Sequence, residues 1–264
     1  MKKLIFFTLV ICAPILAFAG GGSDDWDFGF PKRGNGNLVT FEKPLSQFEK
    51  LQISGRAIVN FYESREYRAV VTVDSNLQEG VRIYIDNDVL KIGTKNGRSY
   101  IFTQYIVDVY CPRLSGISIS GSVRFEGKDK INSPSFNLNI SGVGKITGAF
   151  ECSDFSATIS GSADINSRLI CNSLKAGISG SGKITLAGET KDLDITVSGS
   201  GDFIGHELCA NNAALQISGS ANINIWVMDY LKANVSGSGL VRYRGNPKIE
   251  YRASGSGRFE NVEL

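Results

Sequence analysis

The sequence predicts an all-β protein built as a parallel β-helix, a solenoid with coils of about 18–21 residues and a β-rich N-terminal cap. Three observations carry that expectation. A short serine-glycine motif recurs at nearly constant spacing, the residues flanking it alternate between apolar and polar, and no segment shows helical periodicity.

The N-terminal segment comes first. Lys2 and Lys3 precede an apolar stretch from Leu4 to Leu16, which ends at Ala17-Phe18-Ala19, a small-x-small cleavage pattern. Residues 1–19 therefore read as a secretory signal peptide. Cys12 sits inside the apolar stretch after Ile11, which does not suit a lipoprotein signal. No later run approaches the ~18 apolar residues of a membrane span. The expected locations are the periplasm, the outer-membrane surface or the extracellular space. Losing Lys2 and Lys3 lowers the basic count from 28 to 26, equal to the 26 acids, and a neutral chain has no electrostatic case for nucleic acid.

Residues 20–37 are rich in glycine and read as a flexible leader. Residues 38–118 are less regular. Val71-Val73, Val81-Ile83-Ile85 and Val89 to Ile92 suggest strands, with a hairpin turn at Asp86-Asn87-Asp88. This part is expected to form a β-rich cap continuous with the solenoid, because the end of a β-helix exposes unpaired backbone that must be covered.

Residues 119–264 hold the repeat: ISGSVRF at 119, ISGVGKI at 140, ISGSADI at 159, ISGSGKI at 178, VSGSGDF at 197, ISGSANI at 217, VSGSGLV at 235 and ASGSGRF at 253. The first serines lie 21, 19, 19, 19, 20, 18 and 18 residues apart, and a lone early copy, ISGRAIV, begins at 53. Just before the serine, Phe136-Leu138-Ile140, Phe155-Ala157-Ile159 and Leu174-Ala176-Ile178 show the period-two pattern of a strand with one buried face. Five residues after it the position is always apolar, from Phe125 through Ile146, Ile165 and Ile184 to Phe259. One such unit cannot bury its own apolar face, so the units must stack, each strand pairing in parallel with its copy in the next coil. The motif glycines are expected to serve positive φ and close backbone packing at a repeated corner.

Gly177 to Ile184 approaches a phosphate-binding loop, but Ile184 stands where a metal-binding hydroxyl is required and no helix follows. The signal peptide, FEKLQISGRAIVNF at 48–61, DNDVLKIGTKNG at 86–97, VDVYCPRLSGISISGS at 107–122 and the tandem SGSG units together resemble the head GIN domain family of auto-transporter adhesins. The resemblance covers about residues 38 to 260. It implies a right-handed β-helix, secreted or surface-associated, of a type frequent in Bacteroidetes, and it carries over no catalytic motif.

Candidate chemistry is sparse. Cys152, Cys171 and Cys209 fall in nearly one column with Thr190, so a buried thiol ladder is expected, with a Cys152–Cys171 disulfide as the alternative. The lone His206 and the lack of CxxC give metal binding little support, and no cofactor is expected. An outward column four residues after the serine reads Arg124, Lys145, Asp164, Lys183, Asp202, Asn222, suited to cross-strand charge pairing. Asp164 and Asp202 lie two coils apart, near the spacing of an inverting glycosidase pair, but Lys183 between them favours ionisation of both. A second column, eight residues after the serine, aligns Arg168, Ala187, His206, Trp226 and Arg244; His206, Trp226 and Arg244 are the candidate ligand-binding residues.

The function expected from these readings is a non-enzymatic, exported cell-envelope or surface protein, an adhesin-like scaffold for a glycan or protein ligand. The alternatives are a polysaccharide-processing β-helix enzyme and a self-assembling structural protein. No cap is evident after the last coil, so homo-oligomerisation through that end belongs to the third alternative.

Overall fold

The computed structural model describes residues 30–95 and 98–262. The expected signal peptide and residues 20–29 of the expected leader lie outside this range. The remainder of that leader is fastened. Lys32–Arg33 pair in parallel with Tyr100–Ile101, and the Gly36 amide donates to the Asp74 carboxylate at 2.9 Å.

The repeats form the predicted parallel stack. Long bent strands Val143–Ile159, Ser162–Ile178, Lys183–Val197, Asp202–Ile217 and Asn222–Gly237 each pair in parallel with the next. The position five residues after the serine becomes one inward ladder, Phe125, Ile146, Ile165, Ile184, Phe203, Ile223, Val241 and Phe259, with each residue beside its copy. The residue before the serine forms a second, running from Ile53 through Ile119, Ile140, Ile159, Ile178, Val197 and Ile217 to Val235. Every member of the second ladder is buried. A constant coil length thus converts a period in sequence into columns in space. The hydrophobic effect acts along the whole axis.

Corners come from two devices. At Ser153-Asp154 two successive residues face outward, so the buried series restarts at Phe155 in the opposite phase from Phe150. At the serine-glycine corner the chain comes very close to the coil before it. A Cβ on Gly161 would sit 2.1 Å from the Gly142 carbonyl oxygen, and one on Gly142 would sit 2.1 Å from that of Gly121. Close approach therefore selects glycine here. Among the motif's first glycines only Gly55, Gly237 and Gly255 have positive φ, which corrects the expectation that left-handed backbone is needed at every corner.

The corner serine has its own role. Its amide donates to the carbonyl of the preceding coil, as Ser141 does to Ile119 at 2.9 Å, and its hydroxyl leans on the same oxygen at 3.3 Å. Ser160 and Ser179 repeat both contacts.

The early copy at residue 53 is the first part of this stack. Lys50–Ile53 and Arg56–Glu63 pair in parallel with Gly116–Ile119 and Ser122–Gly127, although Ser54 and Ser120 are far apart in sequence. The intervening chain builds the cap. Leu38–Pro44 and Tyr105–Cys111 both pair antiparallel with Arg68–Asp74, and Tyr105–Cys111 also pairs in parallel with Arg56–Glu63. Val81–Asp86 and Val89–Thr94 form the expected hairpin, with Asn87 and Asp88 at φ 50° and 60°, the signature of a type I′ turn. The cap and the solenoid share one continuous set of ladders.

Candidate binding surfaces

The expected column of His206, Trp226 and Arg244 forms only in part. Trp226 and Arg244 are register partners, and the Arg244 guanidinium lies 4.1 Å from the centre of the Trp226 ring, a cation–π contact. His206 does not join them. A register shift between Gly205 and Cys209 places Cys209, rather than His206, beside Trp226. An earlier shift pairs Ala187 with Glu207, and the His206 imidazole lies 3.8 Å from the Glu207 carboxylate. The outward column is therefore Ile170, Glu189, Cys209, Trp226 and Arg244. In-register stacking also puts Arg244 over one face of the indole, so that face is not a free platform for a sugar ring.

The same shifts revise the cysteine column. Cys171 pairs with Thr190, but Thr190 pairs with Ala210, and Cys209 stands beside the outward Glu189. Cys111, Cys152, Cys171 and Cys209 are all free thiols. The Cys171 thiol donates to the Thr190 hydroxyl at 3.3 Å, and that hydroxyl donates onward to the Asp192 carbonyl at 3.1 Å. Burial pushes the Cys111 and Cys152 thiols up to about 12. Such thiols are poor nucleophiles near neutral pH.

The charged column stands in the expected register, from Arg124 beside Lys145 to Asp202 beside Asn222. Lys183 separates Asp164 from Asp202, and the Asn222 amide donates to Asp202 at 2.9 Å. The arrangement is that of a surface charge ladder. Among the described residues no group of three or more His, Cys, Asp or Glu side chains is placed to hold a metal.

Two further surfaces were not singled out from sequence. The first is an axial strip beside the serine corner, the outward column Gln52, Ser118, Asn139, Thr158, Gly177, Thr196, Gln216, Asn234, which is grooved at its two ends. It deepens into shallow clefts near both ends of the stack. One of about 280 Å³ is lined by Gln52, Ser118, Asn139 and Thr158, and one of about 370 Å³ by Thr196, Gln216, Asn234 and Arg252. The second surface is a cleft of about 320 Å³ between the cap segment 102–105 and the solenoid, with Arg56, Arg124 and Lys145 in its lining.

Residues 47–169 and 153–247 match the family described as "putative auto-transporter adhesin, head GIN domain". The chain belongs to that family. Among curated proteins none matches this head GIN domain protein. Its fold is similar to that of a solved "putative adhesin" from Parabacteroides merdae, 25% identical, with a TM-score of 0.78 over 88% of this chain and 98% of the other. A "putative adhesin" from Parabacteroides distasonis gives the same identity and TM-score over 88% of this chain and all of the other. A "putative lipid binding protein" from the same species, 24% identical, shares the fold with a TM-score of 0.84 over 89% of this chain and all of that one. Among the described residues of the head GIN domain protein no helix is long and apolar enough to cross a membrane.

Proposed function

We propose that this head GIN domain protein is a non-enzymatic, exported cell-envelope scaffold that binds a surface glycan or protein by contacts spread along one face. The observation behind this reading is the axial strip with its grooved ends. Its outward column presents an amide or hydroxyl group at every coil except that of Gly177, with coils about 4.8 Å apart and no charged member from Gln52 to Asn234. Amides and hydroxyls both donate and accept, as sugar hydroxyls and peptide backbones do. Contacts weak at one coil add along an extended polymer, because each one formed raises the effective concentration of the next. The inward ladders hold the columns in register, which lowers the ordering cost of binding.

The test is a screen of the mature protein on glycan and surface-protein arrays beside a variant carrying Asn139→Ala, Thr158→Ala and Gln216→Ala. Binding by the wild type that the variant loses supports the groove. Binding that the groove variant keeps and Trp226→Ala loses moves the site to the Trp226–Arg244 column. Absence of any ligand overturns the reading.

One observation favours a second reading, self-association through the last described coil. Ile249 occupies the inward ladder position beside Leu231, yet it is 42% exposed. A rise in scattering mass with concentration, abolished by Ile249→Lys, would support it. A mass that stays monomeric would rule it out.

A further inference from the structure

The cleft between cap and solenoid shares no lining residue with the grooved strip and differs from it in charge. Arg124 and Lys145 are register partners on neighbouring coils, and Arg56 joins them from the first coil. The coils of Arg124 and Lys145 follow each other directly in the repeat, whereas Arg56 comes from the early copy that precedes the cap insertion, and the facing wall, residues 102–105, belongs to the insertion itself. Among the described residues no carboxylate lies within ion-pair distance of any of the three cations. Glu126 is close enough to feel Arg124 and Lys145, but its carboxylate is bonded to Lys128, which neutralises it locally. Asp164, beside Lys145 on the next coil, is outside the lining. The cleft therefore gathers three cations and no acid.

The remaining lining is partly apolar. Phe102 and Val143 form part of the walls, and Val143 is 58% exposed, an unusual setting for a valine in an otherwise polar outward column. The wall is also held in place. The Asp74 carboxylate, 0% exposed, accepts from the Thr103 amide at 2.8 Å and ties down the loop that carries Phe102 and Gln104. Its volume is at the small end of the usual range for ligand pockets, ~300–1,000 Å³. An acyl chain would need a continuous apolar slot, whereas the exposed large apolar residues are scattered and only Val143 among them lines this cleft.

We propose that this cleft binds an acidic sugar unit, with Arg56, Arg124 and Lys145 receiving its carboxylate or sulfate and Phe102 and Val143 packing against its ring. Guanidinium groups match such oxyanions in a bidentate, planar fashion, and a flat apolar wall suits the C–H face of a pyranose. The site goes beyond the groove reading, since it needs neither the amide column nor Trp226.

Titration calorimetry of the mature protein at low salt tests it, with an oligogalacturonate trisaccharide, its methyl ester and a sulfated disaccharide as probes. The expected result is binding of an acidic probe that weakens at least tenfold in the Arg124→Gln, Lys145→Gln double variant and at least tenfold on esterification. Arg56→Gln should weaken it as well, and the Asn139, Thr158, Gln216 variant should leave it unchanged. All three cationic side chains are exposed, so circular dichroism should show the charge variants folded like the wild type. The proposal is overturned if neither acidic probe binds, or if the double variant binds as tightly as the wild type. Sedimentation with phosphatidylglycerol vesicles that depends on Arg124 and Lys145, without sugar binding, would reassign the cleft to a lipid headgroup. Failure here leaves the groove reading standing, because that reading rests on different variants and neutral ligands.

Discussion

The cap and the repeats are stabilised in contrasting ways although they share ladders. In the repeats one interaction is made many times, an isoleucine above an isoleucine and a glycine against a carbonyl, so each residue's role follows from its place in the coil. In the cap each contact is made once. Asp74 is buried yet holds Gly36 and Thr103 by their amides, Tyr62 stacks on Tyr110 at 4.9 Å, and the Arg68 guanidinium covers Tyr110 at 3.7 Å. Repetition makes the stack redundant but intolerant of any added atom at its corners. Single contacts make the cap tolerant of shape but dependent on a few polar groups.

The sharpest way to break the comparison is Gly161→Ala. The new Cβ would meet the Gly142 carbonyl, and forcing the coils apart should cost at least about 3 kcal/mol, the upper end for overpacking. Hydrogen exchange should show protection lost around the neighbouring coils while the cap keeps its own, as a quasi-one-dimensional stack implies. Gly177→Thr is the control, since its Cβ would meet nothing nearer than Thr158 at 4.0 Å. It should be neutral or stabilising in urea unfolding.

Asp74→Asn tests the cap. Losing a buried carboxylate that accepts backbone amides should cost about 2 kcal/mol, and exchange should rise in residues 31–37 and 100–104 rather than in the repeats. Burial alone would raise this carboxyl's pKa, but the Thr103 and Gly36 amides outweigh it and hold it below its ordinary 3.8. The folded value is thus the lower one. Its stabilisation is full above pH 3.8 and fades as pH falls through the folded value, so the wild type should lose more stability than the variant in that acid window.

The thiols sharpen the contrast at the level of reactivity. Cys111 in the cap and Cys152 in the repeats are both pushed up to about 12 by burial. Iodoacetamide at pH 8 should label each at least ~100-fold more slowly than a free peptide thiol. Denaturant should abolish the difference. Disulfide mapping that finds Cys152 joined to Cys171 would instead establish the bridge that sequence left open.

The smallest effect concerns Ser167, whose buried hydroxyl has no partner among the described residues. Ser167→Ala removes an unsatisfied group and should stabilise by about 1 kcal/mol, read as a higher urea midpoint with unchanged slope.

Legibility in the sequence followed the same division. The columns through Ile146, Ile159 and Lys145 could be written down beforehand, because parallel in-register stacking maps a constant period directly onto neighbours. The hairpin at Asn87-Asp88 was legible for a local reason, the turn chemistry of those residues. Counting residues misplaces His206 and Cys209 because it assumes equal coils, whereas register shifts near Ala187 and Gly205 each displace the chain relative to its neighbour. A signal was present in the longer 20-residue step from Ser198 to Ser218, but its location within the coil was not.

The sequence by itself determined the architecture, the inward ladders and the glycine corners, since each depends only on spacing and on a neighbour of the same kind. Tertiary structure decided that the isolated copy at residue 53 starts the stack. It also decided that Asp74 clamps the cap and that Arg56, Phe102, Arg124 and Lys145 line one cleft. Arg124 and Lys145 are neighbours by the repeat, but Asp74, Phe102 and Arg56 stand on segments with no common period, so only the packing of the cap insertion onto the first coils brings them together.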